Sequence, residues 1–182
     1  MQEIVFADKI EAYFKVIVIG DPEVGKSKLL TDSATNRFEE NYITSIGVSI
    51  FKKSIELEDE NALISLVFWD IASQPYFYKL HRPYFNGANG IIMVFDISRL
   101  STFSNINNWY SSAVKYGLSR VPKILIGNEV NPEDTRKISI PDAICLSKKL
   151  NALYFETSFR TRVRFEIICQ KIAELIYNSK IN

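Results

Sequence analysis

The stretch that decides the fold of this chain is Gly20-Asp21-Pro22-Glu23-Val24-Gly25-Lys26-Ser27. An apolar run, residues 14–19, precedes it, and Lys28-Leu29-Leu30 after it reads as the start of a helix. A glycine, four residues and Gly-Lys-Ser between a strand and a helix are typical of a phosphate-binding loop, because loop N–H groups and the helix N-terminus attract phosphate oxygens. In such a loop Lys26 faces the outer phosphates and Ser27 offers a hydroxyl to Mg²⁺. The alternative is an ordinary strand–turn–helix link that contains Gly-Lys-Ser by coincidence.

Composition favours one soluble, cytoplasmic globular domain. The chain has 182 residues, of which 47% are hydrophobic, enough for a sizeable core. A net charge of +1 without blocks of one sign gives no reason to expect nucleic acid or an anionic membrane as a partner. Cys145 and Cys169 both lie in apolar helical patterns, so we expect buried free thiols. No apolar run is long enough to span a membrane, and the N-terminus lacks a signal-peptide pattern.

Strand and helix patterns alternate along most of the chain. We expect residues 1–12 to be an N-terminal extension and residues 13–182 to form the domain. Two strand patterns joined by a short polar turn predict an antiparallel hairpin. Together these patterns predict an α/β fold with a mostly parallel central sheet, one antiparallel hairpin edge and helices on both faces. The predicted strands are residues 14–19, 48–57, 62–69, 90–96, 123–126 and 153–155, and the predicted helices are residues 28–34, 103–114, 140–150 and 165–176.

Polar residues follow several of the predicted strands. Asp70 ends an apolar strand, Asn128 follows a second one and Glu156-Thr157-Ser158 follow a third. Ligands of parallel sheets bind at the carboxyl ends of the strands. A carboxylate at such a tip beside a phosphate loop can hold Mg²⁺ directly or through water, although a strand can also simply end in Asp. The other two tips suggest the walls of a base pocket.

Five segments together resemble, in order and spacing, the guanine-nucleotide motifs of Ras-superfamily small GTPases. They are the phosphate loop, Tyr42 to Val48, Trp69 to Gln74, Gly127 to Asn131 and Glu156 to Ser158. The segments Ile46-Gly47-Val48 and residues 87–92 look most like the Rab branch. The resemblance implies the small GTPase G domain, GTP or GDP bound with Mg²⁺, GTP hydrolysis, and a role as a switch in vesicular trafficking.

The resemblance also implies roles for individual residues. Ser27 and Ser45 correspond to the hydroxyl ligands of Mg²⁺, with Thr44 as an alternative to Ser45, and Asp70 to the aspartate that supports the ion. Gln74 corresponds to the catalytic glutamine that orients water, and Phe38 to the aromatic that packs on guanine. The nucleotide-binding residues implied in this way are Gly20, Glu23, Val24, Gly25, Lys26, Ser27, Lys28, Phe38, Ser45, Asn128, Asn131, Ser158 and Phe159.

Three departures from the family pattern predict weak guanine-nucleotide binding. Asn131 stands where the family has an aspartate that accepts from two guanine donors, and the amide can accept only one. This loss costs about 2–4 kcal/mol, or roughly 30- to 1,000-fold in affinity. Glu129 replaces a lysine whose stem lies along the base, and Glu23 places a negative charge inside the phosphate loop, where we expect it to point toward the phosphates.

Further departures predict slow hydrolysis. Ser73 replaces a glycine of the family pattern, and its side chain narrows the conformations available to the backbone. Pro75 follows Gln74 and biases it away from the helical region. Pro22 removes a backbone donor from the phosphate loop.

We expect a protein-contact surface at Ile50, Trp69 and Tyr84, which correspond to the aromatic cluster that Rab-like proteins present to effectors and regulators. Core packing is the alternative for Trp69. The chain shows no prenylation cysteine at its end, so we expect contact with endomembranes only through partners. Two other functions stay open at this point: a pseudo-GTPase that binds proteins with little nucleotide control, and a phosphate-loop kinase that shares only the opening motif.

Overall fold

The computed structural model describes residues 9–32, 38–39, 47–71, 81–158 and 163–181. Within these ranges, strands and helices alternate along the chain as the sequence predicts. The elements are β1 (Ile10–Ile19), α1 (Lys26–Asp32), β2 (Phe38–Glu39), β3 (Val48–Leu57), β4 (Ala62–Ile71), α2 (His81–Phe85), β5 (Gly90–Asp96), α3 (Leu100–Lys115), β6 (Lys123–Glu129), α4 (Ile140–Lys149), β7 (Leu153–Ser158) and α5 (Val163–Ile181).

The strands form one sheet in the order β2-β3-β4-β1-β5-β6-β7. From β4 to β7 all neighbours are parallel, whereas β3 runs antiparallel to β4 and β2 antiparallel to β3. This confirms the predicted mostly parallel sheet with an antiparallel edge. Since parallel strands point the same way, β1, β4, β5, β6 and β7 all present their carboxyl ends at one edge. Asp96 is in register with Asn128, and Asn128 with Thr157, so their side chains project near one another.

Helices cover both faces of the sheet, as predicted. On one face, alternate residues of β1 such as Val16 and Val18 join a buried cluster with α1 and α5. On the other face, Ile17 and Ile19 join a second cluster with α2, α3 and α4. Gly90 allows α5 to pack closely on β5, because a Cβ atom there would lie 2.8 Å from the Ile176 side chain.

Several elements extend beyond their predicted ends. β1 begins at Ile10, so three residues of the predicted N-terminal extension belong to the first strand. Its early residues are exposed or half-buried and carry no buried apolar run, yet Ile10 pairs with Ala62 in the ladder. α3 begins at Leu100 rather than Phe103, because apolar periodicity detects only the part of a helix that faces the core. β4 continues past Asp70 to Ile71, and β7 continues to Ser158.

The two cysteines differ in exposure. Both are free thiols, as predicted, but only Cys169 is buried, and burial raises the pKa of its thiol. The expectation that Cys145 is buried is wrong. Cys145 lies on the outer side of α4, whose buried residues are Ala143, Leu146 and Ser147.

No helix in the described part of the chain is both long enough and apolar enough to cross a membrane.

Candidate phosphate-binding site

The loop between β1 and α1 has a backbone path that two of its glycines allow. Gly20 has φ of 147° and Gly25 has φ of 88°. A Cβ atom on Gly20 would lie 2.1 Å from the carbonyl oxygen of Val94, and one on Gly25 would lie 2.5 Å from the side-chain nitrogen of Asn128. Glycine at both positions therefore lets the loop lie directly against β5 and β6. Val24, between them, is fully buried.

Lys26 folds back over the loop. Its ammonium group donates to the carbonyl oxygens of Gly20 and Asp21, both at 2.9 Å, and only 7% of the residue is exposed. Burial lowers the pKa of the Lys26 ammonium, and the nearby carboxylates of Asp70 and Asp21 oppose that shift. The lysine is thus a buried cation at the start of α1, in the position where a phosphate loop needs positive charge.

The carbonyl oxygens elsewhere in the loop also have donors. The carbonyl of Pro22 accepts from the guanidinium of Arg99 at 3.2 Å, and that of Val24 accepts from the side-chain amide of Asn128 at 2.9 Å. Carbonyl oxygens are the loop groups that would repel an anion. Because donors on the protein hold them, the loop suits a negatively charged ligand.

Ser27 and Asp70 are brought together at the edge of the site. The hydroxyl of Ser27 donates to the carboxylate of Asp70, which is 6% exposed. Burial raises the pKa of the Asp70 carboxyl, while the Ser27 hydrogen bond and the charge of Lys26 act in the opposite direction. A hydroxyl and a carboxylate are the oxygen ligands that Mg²⁺ prefers. No cluster of three or more His, Cys, Asp or Glu side chains suited to a metal occurs among the described residues.

Asn128 joins three elements at the sheet edge. Its amide nitrogen donates to Val24 of the phosphate loop, and its amide oxygen accepts from the hydroxyl of Thr157 at 2.9 Å. Both groups are buried, and β6 and β7 supply them in register. The sequence predicts Asn128 as a wall of a base pocket. The structure shows that its amide also ties the phosphate loop to β6 and β7.

Asn131 lies in an exposed turn after β6. Its side-chain oxygen accepts from the N–H of Glu133 at 3.2 Å, and its amide nitrogen donates to Asp134 at 3.3 Å. Of the other predicted site residues, Ser158 is half-buried at the end of β7, and Lys28 is exposed on α1. The side-chain oxygen of Asn131, the atom that could accept from a base, therefore already accepts one hydrogen bond from the local turn.

Glu23 has a left-handed backbone conformation and an exposed side chain. Its φ of 61° lies in the left-handed region, which strains a residue with a side chain by about 1–2 kcal/mol. Its side chain is 87% exposed, and its carboxylate lies 3.9 Å from the guanidinium of Arg99. The side chain therefore extends into solvent beside Arg99, and the expectation that its charge points toward the phosphates stays a prediction.

Sequence reasoning missed three residues that hold the loop. Arg99 contacts Pro22 as described above. Trp109, on α3, donates its indole N–H to the carboxylate of Asp21 at 2.8 Å, and Asn105 donates to the same carboxylate oxygen. Trp109 stood out only as one member of an apolar helical pattern, and no spacing in the sequence connects it to Asp21.

The predicted partner surface forms one contiguous patch. Trp69 of β4 lies opposite Ile50 of β3, and its ring centroid is 6.3 Å from that of Tyr84 on α2. All three side chains are half-buried, so each leaves part of its apolar surface to solvent. The ammonium group of Lys15 lies 3.9 Å from the centroid of the Trp69 ring and donates to the carbonyl of Asn86.

Several predicted site residues lie outside the described residues. These are Ser45, Ser73, Gln74, Pro75 and Phe159, together with the alternative ligand Thr44. The backbone of Phe38 belongs to β2, but its side chain is also outside what the structure describes.

Comparisons with known proteins agree on one family. The chain matches the family model of the Ras family over residues 15–178. It is 33% identical over 168 residues to the GTP-binding protein ypt2 of Schizosaccharomyces pombe, covering 92% of this chain and 83% of that protein. It is 35% identical to the Ras-related protein Rab-2B of Dictyostelium discoideum, covering 91% and 81% of the two chains. It is 36% identical to the Ras-related protein Rab-1 of Theileria parva, covering 90% and 74%.

Proposed function

The chain belongs to the Ras family of small GTPases, on its Rab-like side, and from this premise we propose that it binds GTP and GDP with Mg²⁺ as a switch in vesicular trafficking. The observation that carries the proposal is the phosphate loop, in which buried Lys26 and the donors Arg99 and Asn128 hold the carbonyl oxygens. Family membership supplies the identity of the ligand, and the loop supplies a place for its phosphates.

The residues around the loop fit a Mg²⁺–nucleotide complex. Ser27 offers a hydroxyl beside the buried carboxylate of Asp70, at the end of the loop where Lys26 also lies. We assign Ser27 and Ser45 to the ion as ligands and Asp70 to its support. When bound, Mg²⁺ neutralises phosphate charge. The residues of the chain orient the phosphates, and Asn128 keeps the loop against the sheet.

We propose that guanine affinity is weaker than in typical relatives and that intrinsic hydrolysis is slow. Asn131 has one acceptor oxygen where a carboxylate would have two, and the N–H of Glu133 already takes one of the two lone pairs of that oxygen. Glu129 adds a negative charge near the base. For hydrolysis, Gln74 is the candidate catalytic residue, and Ser73 and Pro75 restrict the backbone around it.

The nucleotide content of the purified protein tests the proposal. Denaturing the protein and separating the released nucleotides should give GDP or GTP in stoichiometric amounts. A Lys26→Met variant, which removes the buried cation, should release far less, while Lys115→Met, at the end of α3 away from the loop, should match the wild type. An empty wild-type protein that binds guanine nucleotides only at high micromolar concentration would reject an ordinary switch.

That second outcome would favour the alternative function, a pseudo-GTPase that binds proteins with little nucleotide control. The local hydrogen bonds of Asn131 are the observation that favours it, because they compete with base recognition.

Single-turnover hydrolysis tests the catalytic part of the proposal. A Ser73→Gly, Pro75→Glu variant should hydrolyse bound GTP faster than the wild type, and a Gln74→Leu change in that background should abolish the gain. An unchanged rate in the first variant would contradict the explanation of slow hydrolysis.

We propose that effector and regulator proteins bind the patch formed by Ile50, Trp69 and Tyr84, and that such partners bring the protein to endomembranes. The patch is half-exposed and apolar, which suits a protein contact. A variant with Ile50→Asp should lose partners captured in a nucleotide-dependent way while keeping its nucleotide.

A further inference from the structure

We propose that Arg99 is a positioning residue of the phosphate loop: it fixes the middle of the loop for polyphosphate binding and offsets the charge of Glu23. The inference rests on the proposed nucleotide binding. It concerns a residue between β5 and α3, outside the guanine-nucleotide motifs described above.

The guanidinium of Arg99 has a fixed anchor. Its Nε donates to the carboxylate of Asp96 at 2.8 Å, and Asp96 is 3% exposed at the end of β5. The other oxygen of this carboxylate accepts from the N–H and the hydroxyl of Ser98, at 2.8 and 2.7 Å. Because the carboxylate is held on both sides, the guanidinium is held in one orientation.

The outer edge of the guanidinium meets the middle of the loop. One terminal nitrogen donates to the carbonyl of Pro22 at 3.2 Å. In a trans peptide the carbonyl and the following N–H point in opposite directions. With the Pro22 carbonyl directed at Arg99, the N–H of Glu23 is directed away from Arg99. Arg99 therefore sets the orientation of this peptide group, and loss of the contact would let its carbonyl turn toward the phosphates.

The same guanidinium also faces the acidic side chain of the loop. Its other terminal nitrogen lies 3.9 Å from the carboxylate of Glu23. Both side chains are partly or largely exposed, so the pair contributes little to stability as an ion pair. Its effect is local: a positive charge lies beside the negative side chain in the middle of the loop. The planar guanidinium binds Asp96 and Pro22 through different N–H edges and lies beside Glu23, a fixed geometry that the point charge of a lysine does not reproduce.

The contact to the Pro22 carbonyl and the charge beside Glu23 can be measured separately. Arg99→Gln removes both the contact to the Pro22 carbonyl and the charge beside Glu23, whereas in a Glu23→Gln background only the first contribution remains to be lost. We expect Arg99→Gln to weaken GDP binding about tenfold in the wild-type background and about threefold in the Glu23→Gln background. Glu23→Gln alone should strengthen binding slightly. Arg99→Lys keeps the positive charge but loses the planar set of N–H donors, so its affinity for GDP should lie between those of the wild type and Arg99→Gln.

Fluorescence titration with a labelled GDP measures these affinities, and Arg120→Gln, an exposed arginine after α3, is the matched control expected to change nothing. Equal losses in the wild-type and Glu23→Gln backgrounds would overturn the charge offset and would point to a general structural role. No loss in either background would overturn the positioning role.

A second measurement separates this inference from the proposed function. In nucleotide-free protein, the backbone amide resonances of Glu23 and Val24 should shift in Arg99→Gln and stay in place in Arg120→Gln. If the wild-type protein binds no guanine nucleotide, the proposed function fails, and these resonances alone decide whether Arg99 positions the loop. Unshifted resonances in Arg99→Gln would overturn the inference.

Discussion

The side-chain amide of Asn128 donates a hydrogen bond of 2.9 Å to the carbonyl of Val24, a residue 104 positions earlier in the chain. Thr157 completes the arrangement by donating to the amide oxygen of Asn128. One buried asparagine thus links the phosphate loop to two strands that end beside it. The contact also explains the glycine at position 25, since a Cβ atom there would collide with this amide.

We expect Asn128→Ala to destabilise the protein by about 2–4 kcal/mol, because it leaves the buried carbonyl of Val24 and the hydroxyl of Thr157 without a partner. Urea unfolding in the absence of nucleotide measures the change. Thr157→Val is the matched control: it removes one donor, leaves the contact to Val24 in place and should cost about 1 kcal/mol. If both variants lowered the free energy of unfolding by the same amount, the hydrogen bond from Asn128 to the phosphate loop would contribute nothing to stability.

Removal of Mg²⁺ should speed nucleotide release, and this effect should depend on the hydroxyl of Ser27. In the wild type, a chelator should speed GDP release at least about tenfold, because the phosphates then lose the neutralising ion. In Ser27→Ala, release should already be fast and the chelator should add little. Ser111→Ala, on the exposed side of α3, serves as the control and should respond to the chelator like the wild type. A chelator effect that survives in Ser27→Ala would contradict the assignment of Ser27 to the ion.

Substitutions of the two tryptophans should affect the rate of GDP release differently. Trp109→Phe removes the indole donor to Asp21 and should speed GDP release about fivefold, since the carboxylate then keeps only its contact from Asn105. Trp69→Phe changes the patch with Ile50 and Tyr84 and the ring beside Lys15, but it leaves the indole donor to Asp21 in place, so the release rate should be unchanged.

An Asp21→Ala background tests the cause of this difference. Once the acceptor is absent, Trp109→Phe should have no further effect on the rate of GDP release. A full effect of Trp109→Phe in that background would show that packing of α3, and not the hydrogen bond, sets the rate.

The parts of this structure that the sequence predicts are those with a local signal. Apolar runs mark the buried strands, and the spacing from Gly20 to Ser27 marks a loop whose chemistry depends on neighbouring residues. Asp70 and Asn128 follow from their places after such runs, because parallel strands end at one edge of a sheet. These signals were sufficient for the fold and for the residues that the structure brings together around the loop from Gly20 to Ser27.

The parts that sequence reasoning missed depend on contacts between distant segments. Arg99 reaches Pro22 across 77 positions, and Trp109 reaches Asp21 across 88. Their geometry is set by where α3 begins and how it packs on β5, which no local pattern encodes. The approach of Glu23 to Arg99 was missed for the same reason: the sequence shows the charge, but the left-handed backbone at this residue and a distant arginine decide what it faces.

We propose that recognition of the base depends on Asn131, so its replacement should change the nucleotide affinity strongly. Asn131→Asp supplies a second acceptor and should raise the affinity for GDP roughly 30- to 1,000-fold, the amount expected from restoring a charge-assisted bidentate pair. The same change should weaken binding of xanthosine diphosphate, because the amide of Asn131 can donate to the 2-oxygen of xanthine and a carboxylate cannot. Competition titrations with both nucleotides measure the two effects. Asp134→Asn, which alters only the local turn around Asn131, is the control and should shift both affinities little. If the wild type bound xanthosine diphosphate no better than GDP, and Asn131→Asp left both affinities in place, Asn131 would not contact the base.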